Sequence, residues 1–207
     1  LNVTIPFKKT VIPFLDKLSF EAEKTHSVNT ISFHNGNLVG HNTDIDGFQK
    51  AISILDYKVK DKKILILGAG GVVPSIIFAL NKMKVSKITV SNRTYEKAEN
   101  LKSQFNKINI AYWGDIPDFD IIINATSLGL NNETIDLENT NIGNGKLFYD
   151  VIYNPSETNF LKKGKKLGNQ IENGKWMFIY QAYEAFKLWH NIEPSVNNDV
   201  FNLLKND

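Results

Sequence analysis

The chain has 207 residues, 42% of them apolar and 22% charged, with 24 basic and 22 acidic side chains and a formal net charge of +2. That is enough apolar material for one large globular domain or two small ones. Interspersed charge without a basic block argues against nucleic-acid binding, the absence of Cys excludes disulfides and thiolate metal sites, and the longest apolar runs, such as Ile64 to Leu67, are far too short to span a bilayer.

The chain opens LNVTIPFKKT, with Leu1, Val3 and Ile5 alternating with Asn2 and Thr4. The alternation predicts a strand, stopped by Pro6 and followed at once by Lys8. In ISFHNGNLVGHN, Asn35-Gly36 between alternating apolar residues predicts a two-residue hairpin turn. DIDGFQKAISIL then reads as a helix, with Thr43 or Asp44 in position to cap it. The histidines, His26, His34, His41 and His190, show no metal-ligand spacing, and no metal site is expected.

The middle of the chain changes character. KKILILGAG, SKITVSNRT, DFDIIINATS and KLFYDVIYNP are short, continuously apolar stretches, as in strands of a parallel sheet covered on both faces. Between them lie helical patterns. Val72, Ile76, Ile77, Leu80 and Met83 form one stripe, with Pro74 tolerated in its first turn. Ala98, Leu101 and Phe105 form a second, and SETNFLKKGKKLG reads as a third helix. Alternating strands and helices predict a doubly wound α/β domain. Beyond it, GKWMFIYQAYEAFKLW predicts a long apolar helix, with Trp176, Phe178, Phe186 and Trp189 in the core and the amide of Gln181 buried and in need of a partner, either substrate or a neighbouring backbone group. PSVNNDVFNLLK predicts a last short helix with Pro194 at its start. The α/β block, residues 45–173, thus sits between two flanking pieces, 1–44 and 174–207, that are expected to form a second lobe across a cleft.

GAGGVV ends a strand and opens a helix, the context that gives a glycine-rich turn its meaning. Gly68 would make the tight turn and Gly70 would admit a pyrophosphate to the helix N-terminus. Val73 stands where a third small residue is usual. The next strand ends SNRTYEK, with Asn92 and Arg93 where an NAD site carries an acid. A guanidinium suits a 2′-phosphate, and Lys97 lies one helical turn on, so the pattern favours NADP over NAD. Basic residues at a helix start oppose its dipole unless an anion is bound there.

NVTIPFK, AEKTHSVNT, GHNTDIDGF, ILILGAGG, SNRTYEK, INATSLGL, DVIYNPSETNFL and WMFIYQAYEAF occur in this order. The series resembles the shikimate/quinate dehydrogenase family over nearly the whole chain. The resemblance implies a Rossmann-like, doubly wound NADP domain beside a smaller α/β substrate lobe. It implies NADP-dependent reduction of 3-dehydroshikimate to shikimate on the route to aromatic amino acids, in the cytoplasm, by a monomer or homodimer acting on a small molecule. It implies that Lys8 is the catalytic lysine and Asp44 its partner. Asn2, Thr4, Asn29, Tyr153 and Gln181 would meet the substrate. Gly68, Ala69, Gly70, Gly71, Asn92, Arg93, Thr94 and Lys97 would hold the cofactor, with Thr126, Ser127, Val151 and Gly174 near its nicotinamide half. Members of the family also carry a further N-terminal segment with a Ser-x-Ser pair, and the resemblance implies that this chain lacks it.

Taken alone, a lysine placed like Lys8 is usually a solvated helix-start residue and an aspartate placed like Asp44 usually a helix cap, while Tyr153 reads equally as core packing. Two other functions stay open at this level: a quinate-oxidising dehydrogenase preferring NAD, and a nucleotide-binding fragment without activity.

Overall fold

The structure is a computed structural model in which residues 1–137 and 142–204 are described. Two sheets organise it. The smaller one contains β1 (Lys17–Leu18), β2 (Thr30–His34) and β3 (Asn37–His41) in the order β1-β3-β2. β2 and β3 pair antiparallel. Asn35 and Gly36 turn between them with φ of 48° and 79°, the two left-handed residues that a hairpin of this length requires. Helix α1 (Phe20–Thr25) packs beside β1, its first turn capped by the Ser19 hydroxyl, which accepts from Ala22 N.

The larger sheet contains β4 (Lys63–Leu67), β5 (Lys87–Ser91), β6 (Ile108–Ala111), β7 (Ile121–Asn124), β8 (Leu147–Asp150) and β9 (Gln170–Glu172). All pairs are parallel, in the order β6-β5-β4-β7-β8-β9. This is the strand order of a dinucleotide-binding Rossmann sheet, with its switch point between β4 and β7. Because successive strand residues face opposite ways, Ile64 and Ile66 enter one core with Ile121, Ile123 and Tyr149, while Leu65 and Leu67 enter another with Ile122 and Phe148. Each such buried aliphatic side chain contributes about 1.5–3 kcal/mol. Helix α3 (Val73–Lys82) covers the first face and α5 (Asn159–Lys166) the second; α4 (Tyr95–Gln104) lies beyond β5 and buries Ala98 and Leu101. Val73, the departure from a small residue, is fully buried in that core.

Helices α2 (Asp44–Ser53) and α6 (Lys175–His190) join the two parts. They cross closely at Gly47, where an added Cβ would stand 2.9 Å from Gln181 N and from Met177 O. Met177, near the start of α6, shares the core of the larger sheet. Near its other end, Trp189 Nε1 donates to Ile31 O of β2 over 2.9 Å. A last helix, α7 (Asn198–Leu203), lays Phe201 against Trp176 at 4.6 Å between ring centroids.

Several expectations are corrected. The opening segment is not a strand: Asn2 makes one antiparallel bridge to Thr30, and turns begin at Ile5. Its extended backbone is still tied to β2, since Leu1 N donates to Ile31 O and Ile31 N to Leu1 O. The last helix starts not at Pro194 but at Asn198, where the Asn197 side chain caps the backbone N–H groups of Asp199 and Val200. Phe178, Phe186 and Trp189 are exposed rather than core, and Trp176 is only partly covered. Strands β1, β6 and β9 have no counterpart in the sequence reading.

Candidate active site

The glycine turn follows β4 directly. Gly68 has a φ of +111°, and a Cβ there would stand 2.8 Å from Ala125 O, just past β7. Only glycine meets both demands. Gly70 and Gly71 differ, because a Cβ on Gly70 has nothing nearer than 3.9 Å and one on Gly71 nothing within 4 Å. Their open side faces a cavity of about 720 Å³ at the carboxyl ends of the strands. Gly68, Ala69, Gly70 and Gly71 line one wall. Asn92, Arg93 and Lys97 line the β5 side, and Thr126, Ser127, Val151 and Tyr153 the β7–β8 side. Of the twelve residues expected at the cofactor, only Thr94 and Gly174 stand off the lining.

Both have structural work nearby. Thr94 occupies the N-cap position of α4, and its carbonyl accepts from Asn92 Nδ2 at 2.7 Å. Gly174 precedes α6 and presses on Val151: a Cβ at Gly174 would fall 1.9 Å from Val151 O. Arg93 and Lys97 are exposed and form no ion pair with any described residue. No carboxylate stands at the end of β5, which reads Ser91-Asn92-Arg93. An open glycine cradle at a helix start beside two unpaired cations fits the phosphates of NADP, including the 2′-phosphate.

The second cluster lies where the opening segment meets β2 and α2. Lys8 Nζ donates to Asp44 Oδ2 at 2.5 Å, with 13% and 8% of the two side chains exposed. Asn29 Nδ2 donates to the other carboxylate oxygen, Asp44 Oδ1, at 2.9 Å and to Thr43 Oγ1 at 3.0 Å. Asn29 Oδ1 in turn accepts from Thr43 N at 2.8 Å. Thr43 is the N-cap residue of α2, yet its hydroxyl makes no capping bond, being engaged with Asn29 and Thr30 instead. Asp44 is thus not free to cap the helix; its two oxygens are held by Lys8 and Asn29. Asn2 Nδ2 reaches Asn29 O and Thr30 Oγ1 at 3.4 Å each. Thr4 is exposed, with its carbonyl accepting from Phe7 N.

Short paths tie this cluster to the glycine turn. Val28 N donates to Lys8 O at 2.8 Å, and Ser27 Oγ lies 3.5 Å from Gly71 O. Asn42, two residues before Asp44, donates to Thr25 Oγ1 and to Ser75 Oγ of α3 at 2.9 Å each, with Ser75 returning a bond to Asn42 Oδ1 at 3.2 Å. All three are buried, so the link between the two parts is shielded from water and rigid.

Tyr153 is 36% exposed and stacks on Phe178 at 4.7 Å, so it lines the cleft rather than the core. Gln181 is half-buried, not buried, and its Nε2 donates to Phe178 O on its own helix at 2.9 Å. Of the two partners open to its amide, substrate or backbone, the structure shows the backbone one.

Residues that the motifs did not single out complete the site. Asp150, buried at the end of β8, accepts from Thr158 Oγ1 at 2.6 Å and from Asn124 Nδ2 and Ile152 N at 3.0 Å each. Asn124 Oδ1 accepts from Thr126 N and Thr126 Oγ1. One carboxyl group therefore fixes both loops on the β7–β8 side of the cavity. Burial pushes the Asp150 carboxyl above its usual range, while the three hydrogen bonds pull it back. The signal lay inside INATS and DVIYNPSET, at the polar residues that end strands β7 and β8. Trp113, Leu128, Leu130 and Ile5 also line the cavity, without a motif to announce them.

The chain is similar to known proteins over nearly its whole length. Residues 1–31 match the shikimate dehydrogenase substrate binding domain, residues 49–149 the shikimate/quinate 5-dehydrogenase family, and residues 174–198 the shikimate 5′-dehydrogenase C-terminal domain. Shikimate dehydrogenase (NADP(+)) of Pelagibacter ubique is 56% identical over 205 residues, covering 99% of this chain and 77% of that protein. The crystal structure of shikimate dehydrogenase from Aquifex aeolicus superposes with a TM-score of 0.86 at 38% identity, covering 98% of this chain and 75% of that one. The enzyme from Thermus thermophilus, solved in complex with NADP(H) and shikimate, gives 0.85 at 30% identity, covering 94% and 74%. With its glycine turn, its lysine–aspartate pair and these relatives, the chain belongs to the shikimate dehydrogenase family.

Proposed function

We propose that this chain reduces 3-dehydroshikimate to shikimate with NADPH, reversibly, in the cytoplasm, with residues 1–44 and 174–207 serving as the substrate lobe and 45–173 as the cofactor domain. The observation that carries the reading is the Lys8–Asp44 ion pair, with Val28 reaching back to Lys8 O and its neighbour Ser27 reaching on to Gly71 of the glycine turn, and with Arg93 and Lys97 beyond that turn unpaired among the described residues.

When bound, the cofactor supplies the hydride that attacks the ketone carbon. Lys8 meets the carbonyl oxygen with an ammonium group, stabilises the negative charge that develops there and donates the proton that makes the hydroxyl. Asp44 aims that ammonium and accepts from a neighbouring substrate hydroxyl. Asn29 fixes Asp44 from behind and keeps its second oxygen from turning away. Asn2, Thr4, Tyr153 and Gln181 bind the remaining hydroxyls and the carboxylate. Gln181 gives one N–H to Phe178 O and has its second N–H and its Oε1 to offer the substrate. Arg93 and Lys97 hold the 2′-phosphate, and the loops anchored by Asn124 and Asp150 shape the nicotinamide end.

Near-ultraviolet absorbance of the purified protein, and of a chain extended at its N-terminus, given NADP with shikimate tests the reading. Reduction of NADP is expected, with NAD and quinate poor substitutes. Reduction with quinate and NAD alone would replace the proposal with a quinate dehydrogenase. No reduction by either chain would overturn the activity and leave a nucleotide-binding protein.

A further inference from the structure

Trp113 stands 37% exposed in the cavity, an arrangement that neither the motifs nor the proposed roles use. A large aromatic ring left open in a cleft asks for an explanation, since burying it elsewhere would release water from its faces. Its place follows from the sheet. Strands β5 and β6 run parallel, with Ser91 opposite Ala111. Arg93 and Trp113 each lie two residues beyond those partners, and both line the same cavity. The loop that carries Trp113 is pinned: Ser91 Oγ donates to Tyr112 O at 2.9 Å, and the Tyr112 ring stacks on Tyr95 of α4 at 5.0 Å and 23°. Tyr112 is thereby turned to the α4 side and its neighbour is directed into the cavity.

A dinucleotide crossing the switch point lies with its phosphates at the glycine turn and its two halves on opposite sides of β4. The half that carries the 2′-phosphate goes to Arg93, on the β5–β6 side, and that half ends in adenine. We infer that Trp113 is a cofactor-binding residue whose indole stacks on the adenine ring, so that base and 2′-phosphate are gripped by adjacent residues with separate tasks. This rests on the NADP reading above. Stacking tolerates any base face and is indifferent to the 2′-phosphate, whereas the charge of Arg93 is what distinguishes that phosphate from a hydroxyl. Affinity and cofactor choice are thereby assigned to different side chains.

The test uses adenosine 2′,5′-bisphosphate, NADP and NAD as calorimetric ligands for the wild-type protein, Trp113→Leu and Trp113→Phe. Trp113→Leu is expected to weaken adenosine 2′,5′-bisphosphate by about 10-fold, within the range for loss of one base-stacking ring. NADP and NAD should weaken by the same factor, leaving their ratio as in the wild type. Trp113→Phe should recover most of the loss, and shikimate affinity should be unchanged in both variants. Unchanged affinity of Trp113→Leu for adenosine 2′,5′-bisphosphate, while the wild type binds it, would overturn the inference alone. A loss confined to NADP, with NAD unaffected, would also overturn it, because Trp113 would then be buttressing Arg93. A wild-type protein that does not bind adenosine 2′,5′-bisphosphate would overturn the NADP reading itself.

Discussion

Lys8 and Asp44, 36 positions apart in the chain, meet at 2.5 Å with little of either side chain exposed. An ion pair so placed loses solvation on both sides and holds only because its remaining valences are met, as Asn29 does for Asp44. Lys8→Ala should lower turnover by roughly 10²–10⁴-fold, the usual loss for a positioned proton donor, with NADP affinity unchanged by calorimetry. Asp44→Asn should also lower turnover. The two losses should not add: Lys8→Ala with Asp44→Asn should be no worse than Lys8→Ala alone, as for groups that act as one unit. Additive losses would separate the pair into independent roles, and surviving turnover in Lys8→Ala would remove it from the chemistry.

Cofactor choice should follow Arg93. Its guanidinium faces the cavity without an ion pair among the described residues. Arg93→Gln keeps a polar side chain and removes the charge. A charge-assisted hydrogen bond contributes about 1.5–3 kcal/mol, so the kcat/KM ratio of NADP to NAD should fall by roughly 10- to 100-fold. Steady-state kinetics with both cofactors checks this. An unchanged ratio would shift the 2′-phosphate to Lys97 or exclude the site on this side of the sheet.

How far the sequence carried this picture depends on where each signal sits. The turn after β4 was legible because close packing and positive φ both demand glycine at Gly68. The Asn35-Gly36 hairpin was legible for a similar local reason. Strands β6 and β9 were not, since INIA and QIE are broken by polar residues, and their partners, not their composition, make them strands. The opening segment alternates like a strand, but turns from Ile5 leave it one bridge. In α6 an apolar composition does not mean burial: Phe178 and Trp189 are exposed, with Phe178 stacked on Tyr153 and Trp189 bonded to β2. The bonds from Asn42 to Ser75 and from Asn124 to Asp150 join positions 33 and 26 apart. Nothing local marks such pairings; only the fold brings them together.

Tyr149 is a fully buried residue of β8, set edge-on to Phe48 at 5.3 Å, and its hydroxyl has no hydrogen-bond partner among the described residues. Burial pushes the phenol well above its usual range, so it stays neutral. A buried donor left unpaired costs about 1–3 kcal/mol. Tyr149→Phe removes the hydroxyl and keeps the ring, and should therefore match or exceed the wild type in urea denaturation by up to about 1–3 kcal/mol, with kcat unchanged. A clear loss of stability would mean that a bound water pairs the hydroxyl.

His41 ends β3 one residue before Asn42, half-buried, with Nε2 sharing a hydrogen bond of 2.9 Å with Ser32 Oγ. Burial lowers its pKa from 6.5, and the charge of Glu21 offsets this in part. With the folded pKa below the unfolded one, the unfolded chain binds more protons through that window. His41 therefore contributes stability that is fully present above 6.5 and is lost as pH falls through the folded value. His41→Gln keeps a hydrogen-bonding side chain but cannot titrate. Between about pH 7.5 and about pH 5.5 its denaturation midpoint should fall less than that of the wild type. Because the strand end that carries His41 runs straight into Asn42 and the Asp44 helix, the same acid range should loosen the wild-type link to Ser75, read as faster hydrogen exchange at the start of α3. Equal slopes for the two proteins would place the acid sensitivity elsewhere, with the half-buried imidazole charging at no cost to the fold.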